Sequence, residues 1–70
     1  MKNLYRKKLG KNIRYYRKLK GIPQEQLAEL IFKSRNYIGM IERAEINIPI
    51  DTVFDIAKAL QIHPKVLFEF

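Results

Sequence analysis

The chain has no cysteine, one histidine, three glycines and three prolines among its 70 residues. Without Cys there is no disulfide framework, no thiolate metal site and no thiol nucleophile. His63 directly precedes Pro64, where a helix cap or surface residue is the expected role, and it has no second His, no Cys and no paired acids to work with. No metal or nucleophile constellation emerges, and no cofactor is expected. No apolar run approaches the roughly 20 residues that a membrane span requires, and no apolar h-region follows the basic start. A cytoplasmic protein is therefore expected, with no membrane partner. One domain of this length buries only about 60% of its unfolded surface, which leaves little room for a deep catalytic cleft. Neither an enzyme nor a small-molecule binder is expected.

Acidic residues are missing from Met1 to Lys20, a stretch that holds nine of the 14 Lys and Arg. With only seven Asp and Glu in the whole chain, the partner to expect is a polyanion.

Periodicity gives helices and no strand. Helix one is expected over about Asn3 to Lys20, with Leu9, Ile13 and Tyr16 inward, the lysines outward, and Gly21 as a left-handed stop. Helix two covers about Gln24 to Ile31, where Leu27, Leu30 and Ile31 recur at i, i+3 and i+4 and Ala28 admits a close neighbour. Helix three covers about Arg35 to Arg43, with Ser34 as N-cap. Helix four covers about Ile50 to Leu60, with Val53, Ile56, Ala57 and Leu60 in one apolar stripe. Pro64 begins a short fifth helix carrying Val66, Leu67 and Phe68. No repeat, linker or low-complexity tract interrupts this pattern.

Gln24 to Arg43 reads QEQLAELIFKSRNYIGMIER. In its second half Ile38, Ile41 and Glu42 share one face, while Arg35, Asn36, Gly39, Met40 and Arg43 point elsewhere. Such an outward set matches base edges and phosphates, the composition of a helix lying in a major groove. These residues, with LGKNIRYYRKLKGIPQEQLAEL before them and IDTVFDIAKALQI and LF after, resemble the Cro and repressor type of helix-turn-helix, also called the XRE family. The likeness runs from about Leu9 to Phe68. Within that family the chain is most similar to the short controller proteins of restriction-modification systems, in RNYIGMIER and in its abrupt ending. The resemblance implies an all-α, compact five-helix bundle of the phage-repressor DNA-binding type, a single domain over 1–70 with the helix-turn-helix proper at about 24–43.

It also implies roles for residues. Ser34, Arg35, Asn36 and Met40 take base-reading positions; Arg35 matches guanine O6 and N7, Asn36 matches adenine N6 and N7, and Met40 a thymine methyl. Gln24, Lys33, Tyr37, Arg43 and Asn47 take phosphate-binding positions, which place the protein without choosing sequence. Arg17 and Glu42 correspond to a partly buried structural ion pair, so Glu42 is not read as a catalytic acid. The residues alone leave other roles open: solvated surface for Arg35 and Asn36, core edge for Met40, packing on helix two for Tyr37, a turn for Asn47. Gly39, costly within a helix, marks a site where a side chain would collide with DNA or with helix two.

Several turn positions depart from the family pattern. Phe32 stands where Gly is usual between helices two and three, and Lys33 stands at a usually apolar position. The expectation is a reshaped turn in which Phe32 fills the core slot that Lys33 cannot; the alternative is a strained backbone. Ala44 and Gln61 also replace Gly, and Pro23 and Pro49 replace capping Ser or Thr without offering a side-chain oxygen.

Apolar residues exceed what one core absorbs. Phe54 lies about 100° round helix four from Val53, and Val66, Phe68 and Phe70 crowd the last seven residues. These four are the expected dimer interface. The reading is thus a regulator that binds double-stranded DNA sequence-specifically as a homodimer at a palindromic operator, excluding or recruiting RNA polymerase. Rival readings are an antitoxin whose apolar end grips a toxin, and a protein-interaction module that lost DNA binding, hinted at by Phe32 and Lys33. Membrane-surface binding by helix one would spend Leu9, Ile13 and Tyr16, which the core needs.

Overall fold

Ile13, Leu27, Ile38, Ile41, Ile56 and Leu67 are each fully buried and come from every element of the chain. The computed structural model describes residues 4–70, and these fold as α1 (Leu4–Leu19), α2 (Gln24–Leu30), α3 (Arg35–Glu42), α4 (Ile50–Leu60) and a 3-10 segment (Pro64–Phe68). No strand occurs among the described residues. Helix ends fall within a residue of the expected positions, except that the expected start at Asn3 lies outside the described residues. Val53, Ile56, Ala57 and Leu60 bury the stripe of α4, while Leu9 and Tyr16 of α1 are half-buried against the same cluster.

The all-helical expectation needs one correction, because among the described residues there are four α-helices and not five. After Pro64 the chain closes only i to i+3 bonds, Val66 N to His63 O (3.1 Å) and Glu69 N to Val66 O (3.5 Å). Asn12 of α1 donates its side-chain amide to Leu67 O (3.0 Å) and Glu69 O (3.1 Å). Those contacts hold the segment against α1, and Glu69 turns extended at ψ 104, so no α-helical turn develops. His63 caps the segment, its Nδ1 accepting from Lys65 N at 3.1 Å.

All four helices stop in the same way. A residue with left-handed backbone follows each: Gly21 (φ 70), Phe32 (φ 60), Ala44 (φ 62) and Gln61 (φ 58). The next amide then reaches five residues back: Ile22 to Arg17 O, Lys33 to Ala28 O, Glu45 to Met40 O and Ile62 to Ala57 O, all at 2.9–3.0 Å. This is the Schellman ending, which satisfies carbonyls that the helix leaves open.

Phe32 therefore contradicts the reshaped turn. It takes the left-handed conformation and is 93% exposed, and Lys33 is exposed beside it. The core slot is closed by Ile31 instead. Leu30, expected inward, is half-exposed, because Leu27, Ala28 and Ile31 already complete the buried face of α2. Pro23 and Pro49 start α2 and α4 through their carbonyls, with no side-chain cap, and Glu25 and Asp51 stand in the first turns, where a negative charge complements the helix dipole.

Candidate nucleic-acid interface

The candidate reading helix α3 is held from three sides. Ser34 Oγ accepts from Tyr37 N at 3.1 Å and starts it. Ile38 and Ile41 anchor it in the core. Its last turn lies against Gly10 of α1, where an added Cβ would stand 2.6 Å from Ile41 O and 2.9 Å from Glu42 O. Only a glycine lets the two backbones approach this closely.

Arg17 and Glu42 meet at this crossing. Nε of Arg17 donates to Glu42 Oε2 at 2.6 Å and Nη2 to Oε1 at 3.0 Å. Nη1 donates to Ile22 O at 2.9 Å, and Gln24 Nε2 donates to Glu42 Oε1 at 3.1 Å. Both charges are buried with every polar atom partnered, the condition under which burial of an ion pair is tolerable. Gln24 is thereby fixed between α2 and α3.

On the outer side Gln24, Arg35, Asn36, Gly39 and Arg43 line one shallow cleft of about 310 Å³. Ser34, Arg35 and Asn36 are exposed, and Met40 is half-buried one turn on, with Asn36 Nδ2 4.0 Å from its sulfur. Tyr37 is half-buried against the core and has the Lys33 ammonium 5.4 Å from its ring centre, within cation–π range. Gly39 is buried, and the nearest group to an added Cβ would be the Arg43 guanidinium, with Nη1 at 2.9 Å. Arg43 is bound by Glu45, Nε to Oε2 at 2.8 Å and Nη2 to Oε1 at 3.3 Å. This contact and its charge push the Arg43 pKa up and hold the Glu45 carboxyl below the usual carboxylate range.

Asn47 stands apart from the cleft. Its side-chain oxygen accepts from Arg6 of α1, and it lines a depression with Tyr5, Leu9, Ile48, Phe68 and Phe70. Phe70 packs on Tyr5 with ring centres 5.9 Å apart. Phe54, Phe68 and Phe70 are about half-exposed and Val66 is half-buried. Sequence reading missed Tyr5, Gly10 and Glu45. Tyr5 and Gly10 act on residues far along the chain, and Glu45 reaches Arg43 only because Ala44 reverses the backbone between them.

Among the described residues no His, Cys, Asp and Glu cluster is placed to hold a metal ion, and no helix is long and apolar enough to cross a membrane. Residues 13–67 match the helix-turn-helix family. Control protein C.SmaI of Serratia marcescens is 45% identical over 60 residues, covering 84% of this chain and 71% of that protein. Control protein C.BamHI of Bacillus amyloliquefaciens is 38% identical, covering 100% of this chain and 88% of that one. The crystal structure of the restriction-modification controller protein C.AhdI from Aeromonas hydrophila superimposes with a TM-score of 0.85 at 39% identity, covering 89% of this chain and 90% of that one. Fold and kinship agree, and the chain belongs to the helix-turn-helix family of the XRE type, DNA-binding transcription regulators among which the restriction-modification controller proteins are its homologues.

Proposed function

We propose that the chain, as a single domain over residues 1–70, binds a palindromic duplex operator as a homodimer and controls transcription of a restriction-modification operon in the cytoplasm. The observation that carries this reading is the cleft on α3, where Arg35, Asn36, Gln24 and Arg43 converge on an outward face that Ile38 and Ile41 hold from beneath. Arg35 and Asn36 face base edges, and Ser34 and Met40 flank them. Lys33, Tyr37 and Gln24 face the phosphates, while Glu45 holds Arg43 on the outer face of α3 and Asn47, bound by Arg6, stands apart from the cleft. Occupancy is the mechanism: a dimer near a promoter excludes RNA polymerase or, from another position, recruits it.

The half-exposed Phe54, Phe68 and Phe70 supply the apolar surface for the second copy. A two-fold axis through them sets two reading helices about 34 Å apart, one turn of duplex. The names of the relatives, control proteins and a restriction-modification controller, support the operon. The module that lost DNA binding loses its only hint, because the Phe32 turn keeps the same hydrogen bonds as the other three helix ends.

Selection of bound duplexes from a random pool, with sizing of the complex, tests this reading. It expects a palindrome with half-site centres about 10 base pairs apart and two chains per site. An asymmetric site, one chain per duplex, or no enrichment would overturn it.

A further inference from the structure

Ala44 at φ 62 and the bond from Glu45 N to Met40 O (2.9 Å) turn the chain back at the end of α3. Glu45 is thereby carried beside Arg43, and its carboxylate takes both Nε (2.8 Å) and Nη2 (3.3 Å). Such a two-pronged contact fixes the plane of a guanidinium as well as matching its charge. The remaining Nη1 lies over Gly39, 2.9 Å from where a Cβ would stand, inside the cleft shared with Gln24, Arg35 and Asn36. Arg43 is thus folded onto the helix and not extended towards a backbone. The side chains are 55% and 50% exposed, and pairs this open to water contribute little to stability.

We propose that Glu45 determines specificity by holding the Arg43 guanidinium folded across Gly39 on the reading face, which withholds its charge from sequence-independent phosphate contact. The proposal rests on α3 being the groove-facing helix. Binding to arbitrary duplex comes from cations that displace counterions from phosphates, and an arginine already matched by a carboxylate displaces few. On the right site, where Arg35 and Asn36 seat the helix fully, the folded guanidinium still presents Nη1 in the same cleft. Glu45 therefore weakens random binding more than operator binding.

Glu45→Gln keeps the side chain's size and removes its charge. Affinities for a duplex selected from a random pool and for a random-sequence duplex are measured across a salt series. The chains compared are the unmutated one, Glu45→Gln, Arg43→Ala and the double variant. Glu45→Gln is expected to bind random duplex more tightly, with a log-log salt slope steeper by about 0.9, one phosphate's worth. Its preference for the selected duplex falls on the order of tenfold, the low end of one base contact. In the Arg43→Ala background the same change leaves slope and preference unaltered. An unaltered slope for Glu45→Gln, or an effect equally large without Arg43, overturns the proposal, the second outcome because Glu45 would then act by its own charge. If the unmutated chain prefers no duplex at all, the functional reading fails and takes this proposal with it.

Discussion

Arg17 and Glu42, 25 residues apart in the chain, are joined through two hydrogen bonds of 2.6 and 3.0 Å in the buried crossing of α1 and α3. Gln24 binds the same carboxylate and Ile22 O takes the remaining guanidinium nitrogen, so one buried pair ties both α1 and α2 to α3.

Removing one partner strands the other as a buried charge. Arg17→Ala and Glu42→Ala are each expected to cost about 3–5 kcal/mol, and the double variant far less than their sum. A denaturant series on all four chains reads this coupling. Simple additivity would show that the pair is not the tie described.

Phe32 carries the strain of the helix-turn-helix turn on an exposed side chain. A left-handed L-residue costs roughly 1–2 kcal/mol, and glycine's greater freedom in the unfolded chain takes back about 0.5–1 kcal/mol. Phe32→Gly is therefore expected to stabilise the fold by about 0.5–1 kcal/mol. A midpoint that falls in urea would mean that Phe32 makes contacts which outweigh its backbone.

Gly10→Ala has the opposite sign. The gain in helix propensity is about 1 kcal/mol, but the new Cβ meets backbone oxygens at 2.6 and 2.9 Å, and neither can move without shifting α3. Overpacking of this kind costs roughly 1–3 kcal/mol, so the variant should melt earlier and bind its selected duplex less well. Unchanged melting would show that α1 and α3 part easily.

Dimerisation through the half-exposed aromatics is read by Phe54→Glu, which places a charge on the apolar surface without entering the core. A folded monomer with much weaker operator binding is expected. Sedimentation of the unmutated chain as a monomer at high micromolar concentration, free and on DNA, would contradict the interface.

What was legible in sequence was most of the inward face of each helix, Leu30 being the exception. The spacing of Ile38, Ile41 and Glu42, the cap at Ser34 and the stripe of α4 follow from one period of 3.6 residues, and the structure buries or caps each of them. Less legible was anything that the helical period does not govern. Phe32 looked like a core residue because a left-handed Phe is costly, yet Ile31 closes the slot and the Lys33 to Ala28 bond holds the turn. The last segment looked α-helical because nothing local shows Asn12 binding its carbonyls from 55 residues away. At the candidate site, Arg35 and Asn36 could be placed on the outer face from periodicity. The fold of Arg43 over Gly39 could not, since it depends on a carboxylate beyond the helix end.

Base reading by the exposed face of α3 is tested by comparing Arg35→Ala with Lys33→Ala on the selected duplex and on random duplex. Arg35→Ala is expected to cost roughly 1–3 kcal/mol on the selected duplex and much less on random DNA. Lys33→Ala should weaken both about equally and reduce the log-log salt slope by about 0.9. Equal losses on both duplexes for Arg35→Ala, indistinguishable from those of Lys33→Ala, would contradict the assignment of the reading face.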